Sequence, residues 1–195
     1  MKKIKRRGIP IVCSSPSGAG KTTLIRLIKK NMGGFGYSIS ATTRPISGQE
    51  INGKDYFFLT EKEFALKKKK GEFVETALVH GYHYGTLKSQ LDEQLKKGRD
   101  VLMDIDIIGA LNVKKSYPEA LLIFITAKSL KILEDRLIKR GRDPEKAIKR
   151  RLKNARKEIK YKKYYDYIIV NDVLKDALKE FINIIKTERK KRNEK

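Results

Sequence analysis

A short turn with two glycines separates an apolar run from an amphipathic segment near the start of the chain. The run Ile9–Ser14 is followed by Ser15-Pro16-Ser17-Gly18-Ala19-Gly20, and apolar residues then recur at helical spacing over Thr22–Lys30. An apolar run that is broken by glycine and followed by a helical period predicts a strand, a tight turn and a helix. A strand that leads directly into a helix favours folds in which these two elements alternate.

Later apolar runs continue this alternation. Val101–Ile105 and Leu121–Ile125 are almost wholly apolar, as strands buried on both faces are, and a helical pattern at about 107–116 joins them. Tyr167–Val170 predicts another strand, and a helix is expected over Val173–Arg189. These patterns predict a three-layer α/β fold in which helices cover both faces of a central parallel sheet.

Two segments interrupt the alternation. Residues 36–86 combine short strand patterns with one helix, and we interpret them as an inserted α+β lobe. Residues 129–163 contain two successive helical patterns, which favours a helical lid; Asp143 and Pro144 are predicted to be the N-cap and first residue of its second helix. We expect one domain over residues 1–195, with a core made of 8–35, 87–128 and 164–190.

Within the predicted lobe, alternation indicates strands over Phe35–Ser40, Tyr56–Leu59 and Phe73–Val79. The sequence Thr60-Glu61-Lys62-Glu63 has the spacing of a capping box, so we expect a helix to begin there. The segment rich in His, Tyr and Gly after Val79 is predicted to be a loop. It contains both histidines of the chain, His80 and His83, which we interpret as loop residues rather than metal ligands.

The chain is strongly basic. Its 46 Lys and Arg residues against 23 Asp and Glu residues give a formal net charge of +23, concentrated in residues 2–7, 128–163 and 186–195. Such a field favours polyanionic partners, namely nucleic acid, an acidic membrane surface or nucleotide phosphates. Solvated, lysine-rich helix faces are the alternative explanation. Nucleic acid is not expected to be required, although the basic tails leave weak non-specific binding open.

Cysteine usage and hydropathy exclude several classes of protein. The single cysteine, Cys13, excludes an internal disulfide framework, and we expect it to be buried in the first strand. No apolar run approaches the roughly 18 residues of a membrane span, and the run after the basic start is too short for a signal peptide. We therefore expect a cytoplasmic protein with no membrane partner, either a monomer or a homo-oligomer.

Residues Ser15 to Thr22 nearly match the phosphate-binding motif G-x-x-x-x-G-K-[ST], with Ser15 replacing the first glycine. In this motif backbone N–H groups converge on phosphate oxygens, the lysine reaches the β- and γ-phosphates, and the hydroxyl ligates Mg²⁺. The predicted strand and helix lie where the motif requires them. We therefore expect a nucleoside triphosphate to be bound by Ser15, Pro16, Ser17, Gly18, Ala19, Gly20, Lys21, Thr22 and Thr23.

Further motifs closely resemble those of guanylate kinases, in the same order from about residue 8 to 188. They are Phe35-Gly36-Tyr37-Ser38-Ile39-Ser40-Ala41-Thr42-Thr43-Arg44-Pro45 with Glu50 and Asn52-Gly53-Lys54-Asp55-Tyr56, Gly71-Glu72-Phe73-Val74-Glu75, Tyr84-Gly85-Thr86, Asp104-Ile105-Asp106, and Ile168-Ile169-Val170-Asn171-Asp172. The resemblance implies a P-loop nucleoside monophosphate kinase of purine metabolism. Its reaction would be ATP + GMP ⇌ ADP + GDP with Mg²⁺, and dGMP is a further expected acceptor.

The resemblance also implies a guanine site. Guanine presents N1–H and the N2 amino group as adjacent donors, and one carboxylate can accept both. Glu75 matches the guanine-binding glutamate of the family, and Ser40 and Thr86 match hydroxyls that bind the other edge atoms. Adenine lacks the N2 amino donor, and sites built on such hydrogen bonds reject analogues strongly.

The GMP phosphate and the acceptor nucleoside have their own expected ligands. Arg44, Tyr56 and Tyr84 match the clamp of the family on the GMP phosphate, where the planar donor fork of arginine suits a phosphate. Arg44 is also expected to act in catalysis. Asp106 matches a residue that positions the acceptor nucleoside.

On the donor side, the resemblance implies that Lys21 is catalytic and that Asp104 supports Mg²⁺ and its water shell together with Thr22. Asn171 matches a residue beside the adenine pocket. Three arginines match the catalytic lid arginines, which would stabilise the charge of the transferring phosphoryl group: Arg136, Arg140 and Arg151.

Two positions depart from the family. Ser47 stands where a second phosphate-binding arginine is usual, and Ile108 stands where glutamine is common. These departures leave open a related kinase with another phosphorylated acceptor. A catalytically inactive guanylate-kinase-like binding module is a further alternative, although such modules typically lose the P-loop lysine or the lid arginines, which this chain has.

Overall fold

The computed structural model describes residues 7–79, 81–141 and 144–194. The strands in this part of the chain are β1 Pro10–Ser14, β2 Phe35–Gly36, β3 Ser40–Thr42, β4 Phe57–Phe58, β5 Phe73–Val79, β6 Tyr82–Leu87, β7 Asp100–Asp104, β8 Leu121–Thr126 and β9 Tyr167–Val170. The α-helices are α1 Lys21–Asn31, α2 Glu61–Lys69, α3 Lys88–Lys96, α4 Ile107–Ser116, α5 Leu130–Arg140, α6 Glu145–Ile159 and α7 Leu174–Asn193, and a 3-10 helix, Lys160–Tyr164, follows α6.

A five-stranded sheet with the order β2-β7-β1-β8-β9 confirms the predicted α/β class. Its ladders β2–β7, β1–β8 and β8–β9 are parallel. All six residues of β8 are buried, which explains why this strand is a continuous apolar run rather than an alternating one. No helix among the described residues is long and apolar enough to cross a membrane.

The chain divides into two compact units. Of the described residues, the first unit comprises those in the ranges up to Pro10, Gly34–Leu102 and Ile108–Ala120, and the second comprises those in Ile11–Gly33, Met103–Ile107 and from Leu121 onward. The predicted boundaries of core, lobe and lid stay a prediction.

The first unit contains a four-stranded sheet with the order β4-β3-β6-β5. β6 pairs antiparallel with both β3 and β5. Phe64 of α2 stacks on Phe73 of β5, with ring centroids 4.5 Å apart, and a small core forms around these two rings. The predicted capping box is confirmed, since Glu63 N–H donates to the Thr60 hydroxyl and Thr60 N–H donates to the Glu63 carboxylate.

In the second unit, α1 and α7 pack against each other. They bury Leu24 and Ile28 from α1 and Phe181 and Ile185 from α7. Cys13 in β1 is fully buried, as predicted, and burial raises the pKa of its thiol. This packing holds α1, the helix that begins directly after the turn, against α7.

Two predictions about the strands of the first unit were wrong. Phe35–Ser40 is not one strand, because β2 pairs with β7 while β3 joins the other sheet. Alternation records only which residues share a face and therefore cannot reveal a change of sheet. The segment after Val79 is not a loop but contains β6, so His83 lies in a strand; His80 lies outside the described residues.

Close packing explains why a glycine, Gly85, occurs within β6, a segment whose composition is typical of a loop. A Cβ on Gly85 would lie 2.8 Å from Cδ1 of Phe73, so only glycine lets the Phe73 ring pack there. At the second lid helix, Pro144 is the N-cap in extended conformation and the helix begins at Glu145, one residue later than predicted. Asp143, the predicted N-cap, lies outside the described residues.

Candidate active site

The turn after β1 is shaped by two left-handed glycines, Gly18 at φ 89° and Gly20 at φ 86°. A Cβ on Gly20 would lie only 2.4 Å from Nδ2 of Asn171, so this position has no room for a side chain. α1 begins at the next residue, Lys21. The N–H groups of its first turn and the positive end of the helix dipole make this turn suitable for an anion such as a phosphate.

Lys21 contacts the last residue of β7 and the residue that follows it. Its Nζ lies 2.5 Å from Oδ1 of Asp104 and 3.4 Å from the Ile105 carbonyl oxygen. The hydroxyl of Ser14, at the end of β1, donates to the same carbonyl at 3.0 Å. The lysine side chain is 18% exposed and the Asp104 side chain 41%. Two residues predicted to act on the donor phosphates therefore meet where parallel strands end, as ligand sites in such sheets commonly do.

Asn171 braces the turn from the end of β9. Its side-chain amide donates to the Ala19 carbonyl at 2.7 Å, and its backbone N–H donates to Thr126 O at 2.8 Å. The residue is buried. Its contact therefore fixes the shape of the turn, and its predicted place beside adenine stays a prediction.

The three arginines that are predicted to belong to the lid lie near the same turn and strand end. Arg136 donates to the Asn171 carbonyl at 2.7 Å, and Arg151 donates to the Ser17 hydroxyl at 3.0 Å. Arg140 and Arg136 line a cavity of about 310 Å³ together with Gly18, Gly20, Thr23, Lys139, Asn171, Asp172 and Leu174. The structure thus brings these three predicted arginines to the elements that carry the phosphate-binding motif.

Sequence reasoning missed several residues of this neighbourhood. Lys139 lies three residues after Arg136 on α5, a spacing that was a usable signal. Asp172 accepts a hydrogen bond from Lys128 N–H at 3.0 Å. Burial raises the pKa of the Glu158 carboxyl on α6, an effect that Lys21 opposes and Asp106 reinforces. No local pattern distinguishes Glu158 from the solvated charges around it.

The oxygen donors of the second unit fit Mg²⁺. Thr22 is exposed in the first turn of α1, and Asp104 offers a solvent-accessible carboxylate. Among the described residues no group of three or more His, Cys, Asp or Glu side chains is able to hold a metal ion by itself. Mg²⁺ usually binds one or two carboxylates together with substrate phosphates and water, so a single carboxylate and a hydroxyl are a suitable donor set.

In the first unit, three predicted guanine-binding residues lie side by side. Thr86 of β6 is directly opposite Ser40 of β3 and Glu75 of β5. Directly paired residues of neighbouring strands share a face of the sheet. The Thr86 hydroxyl donates to Oε1 of Glu75 at 2.7 Å, which orients the carboxylate. A row of two hydroxyls and one carboxylate is chemically suited to a base edge that carries donors and acceptors.

The predicted phosphate clamp also comes together in the first unit. The rings of Tyr56 and Tyr84 have centroids 6.0 Å apart, and the Arg44 guanidinium carbon lies 5.4 Å from the Tyr56 ring centroid. Nη2 of Arg44 donates to Oε1 of Glu50 at 2.7 Å. Hydrogen bonds to Glu50 and Tyr84 raise the pKa of Arg44, and the bond from Arg44 lowers the pKa of Glu50.

The predicted roles of Asp106 and of the departure at Ile108 stay predictions. Asp106, expected to position the acceptor nucleoside, belongs to the second unit, whereas Ser40, Glu75 and Arg44 belong to the first. Ile108, at the start of α4, is 72% exposed.

Comparisons with known proteins agree with one another. The family model for guanylate kinase matches residues 7–188. The guanylate kinase of Thermotoga maritima is 43% identical over 185 residues, which cover 95% of this chain and 89% of that protein. The guanylate kinase of Fusobacterium nucleatum is 46% identical over 178 residues, covering 91% and 96%. The crystal structure of guanylate kinase from Anaplasma phagocytophilum matches with a TM-score of 0.67 at 32% identity, covering 94% of this chain and 87% of that one.

Proposed function

The chain belongs to the guanylate kinase family and transfers the γ-phosphoryl group of ATP to GMP, and we propose that two separate groups of side chains carry out this reaction. The second unit binds ATP through the turn from Ser15 to Thr23 and through Asn171. The first unit binds guanine through the row of Ser40, Thr86 and Glu75, and it binds the GMP phosphate through the clamp formed by Arg44 and two tyrosines. Asp106 is the residue that positions the acceptor nucleoside.

The chemistry requires positioning more than proton transfer. An ionised oxygen of the GMP phosphate attacks the γ-phosphorus, a P–O bond forms, and the bond to the β-bridging oxygen breaks with its electron pair leaving on ADP. The attacking oxygen is already negatively charged at neutral pH, so no general base is needed. Catalysis then depends on holding both nucleotides and stabilising the charge of the transferring group.

Each cation has a distinct role in this proposal. Lys21 binds the donor β- and γ-phosphates, Arg44 holds the acceptor phosphate, and the lid arginines Arg136, Arg140 and Arg151 stabilise the charge that spreads over the transferring group. Thr22 would hold Mg²⁺, with Asp104 acting through its water shell; the ion neutralises charge on the donor phosphates when bound. Pairing with Lys21 keeps the Asp104 carboxylate in place.

The observation that supports the acceptor assignment most strongly is the row of Ser40, Thr86 and Glu75 on adjacent strands. A coupled assay of ADP release with GMP, dGMP, AMP, CMP and UMP tests it. We expect turnover with GMP and dGMP, and AMP slower by roughly 10⁴-fold, as in sites that hydrogen-bond a distinguishing group. Equal rates with AMP and GMP would contradict the assignment.

One observation favours a second candidate, a kinase for a different phosphorylated acceptor. Ser47 and Ile108 both depart from the family pattern in segments assigned to the acceptor. The same assay decides between the candidates, because a different acceptor would exceed GMP in rate. We further propose that the enzyme works in the cytoplasm and requires no nucleic acid.

Replacing Ser47 with arginine is expected to lower the KM for GMP about tenfold. Ser47 is exposed, so the longer side chain has room, and a charged hydrogen bond to phosphate is worth about 1.5–3 kcal/mol before solvent screening reduces it. The KM for ATP should barely change. Ser47→Gln, which adds length without charge, is the control, and initial rates at moderate salt are the measurement. An unchanged KM for GMP in S47R would mean that another group already fills this role.

Binding of both nucleotides is expected to slow amide hydrogen exchange across residues 129–160. Over its fifteen residues α6 buries only Ile148 and Ala155, so its local opening should cost little free energy in the empty enzyme. Hydrogen exchange with and without ADP plus GMP measures the effect, and α3 is the control segment. Equal exchange of 129–160 in both conditions would contradict a closing lid.

A further inference from the structure

Arg44 and Glu50 form a shielded ion pair in the first unit. Nη2 of Arg44 lies 2.7 Å from Oε1 of Glu50, and the two side chains are 23% and 26% exposed. The Arg44 guanidinium carbon also lies 5.6 Å from the Phe58 ring centroid, in addition to its contact with Tyr56. The guanidinium is therefore held by one carboxylate beside two aromatic rings.

Glu50 also closes the turn that contains Ser47. Its Oε2 accepts a hydrogen bond from Ser47 N–H at 2.9 Å, and its own N–H donates to the Ser47 carbonyl at 3.3 Å. One carboxylate thus links the Arg44 side chain to the backbone three residues further along. The serine that replaces the usual arginine supplies a backbone donor to this link.

The bonds made by Arg44 leave donors for a ligand. A guanidinium has five N–H donors. Nη1 uses one for the Pro45 carbonyl at 2.8 Å, and Nη2 uses one for Glu50. A further hydrogen bond joins Arg44 to Tyr84. Two of the five donors therefore remain for a ligand, and the pair with Glu50 restricts the orientation of the guanidinium that carries them.

We propose that Glu50 is a positioning residue of the acceptor phosphate site. It holds the Arg44 guanidinium in its binding orientation, which allows one arginine to bind the GMP phosphate where the family usually has two. This inference rests on the proposed function, because the anion is the phosphate of GMP.

The proposal and simple electrostatics predict opposite effects of removing Glu50 on the affinity for GMP. A carboxylate beside Arg44 repels an incoming phosphate, so on charge alone its removal would strengthen GMP binding. If positioning dominates, removal releases a flexible side chain that must be ordered again on binding, which weakens binding by about fivefold to tenfold.

The test compares Glu50→Ala with Asp55→Ala. Asp55 lies in the same loop, and its carboxylate also closes a turn, accepting from Ile51 N–H at 2.7 Å, which makes it a matched control. Calorimetry should show the Kd for GMP raised about fivefold to tenfold in E50A and little changed in D55A. Guanosine, which lacks the phosphate, should bind both variants and the wild type equally.

A double-mutant cycle with Arg44→Ala separates positioning from general loop stability. If Glu50 acts through Arg44, adding E50A to R44A should not raise the Kd for GMP further. A stabilising role in the loop alone would give the same penalty in both backgrounds and would overturn the proposal. Should E50A fail to fold by circular dichroism, Glu50→Gln replaces it; its amide oxygen still accepts from Arg44 but its NH₂ group cannot accept from Ser47, so an intermediate Kd is expected.

An unchanged or lowered Kd for GMP in E50A, or an equal loss of guanosine binding, also overturns the proposal. Wild-type turnover of GMP in the coupled assay tests the proposed function separately. A wild type that phosphorylates GMP while E50A binds it normally would remove only the role of Glu50.

Discussion

Lys21→Ala should lower kcat roughly 10²–10³-fold while GMP binding survives. The magnitude follows from removing one preorganised cation from the charge that develops during phosphoryl transfer. GMP binding should survive because Lys21 is assigned to the donor phosphates alone, and its contacts are with Asp104 and the Ile105 carbonyl rather than with residues assigned to GMP. Stopped assays of ADP formation measure the loss, and calorimetry measures GMP affinity.

The fold should tolerate this change. Asp104, which pairs with Lys21, is 41% exposed, so water can hydrate its carboxylate and the free energy of unfolding should fall by no more than about 1 kcal/mol. Lys30→Ala is the matched control, since Lys30 is an exposed lysine in the last turn of the same helix. A K21A protein that folds normally but loses GMP affinity would contradict the assignment of Lys21 to the donor alone.

Glu75→Gln is expected to lower kcat/KM for GMP about tenfold to a hundredfold. The carboxylate accepts two guanine donors in this assignment, and an amide presents its NH₂ group to one of them. The loss corresponds to about 1.5–3 kcal/mol, the range for hydrogen bonds to charged groups. The KM for ATP should stay close to that of the wild type.

Glu72→Gln is the control for this substitution. Glu72 immediately precedes β5 and pairs with Lys67 at 2.7 Å, away from the paired row of Glu75 and Thr86. Steady-state kinetics with GMP and AMP should show discrimination reduced in E75Q and unchanged in E72Q. Equal losses in the two variants would point to a general weakening of the sheet rather than to guanine recognition.

Features encoded by neighbouring residues were predictable from the sequence. The unbroken apolar run of β8 follows from burial on both faces, and the bonds between Thr60 and Glu63 follow from their spacing. The strand, turn and helix around Lys21 were predictable because an apolar run, two glycines and a helical period follow one another directly in the sequence.

Features that depend on distant partners were not predictable in this way. β6 contains Gly85 and polar residues, and it is a strand because β3 and β5 flank it on either side. The pairing of Arg44 with Glu50 requires a particular turn, which no hydrophobic period encodes. Likewise, the assignment of Asp106 and Arg44 to different compact units depends on contacts between segments that are distant in the sequence.

The hydrogen bond from the Asn171 side chain to the Ala19 carbonyl has a consequence for synthesis of the chain. This hydrogen bond joins residues 152 positions apart, and β9, which leads to Asn171, pairs with β8, the partner of β1. A chain made from its N-terminus therefore exposes the phosphate-binding motif early but can set its final shape only after residue 171 has emerged from the ribosome. We therefore expect nucleotide to stabilise the chain only after β9 has joined the sheet, and not to act as a template for the first helix.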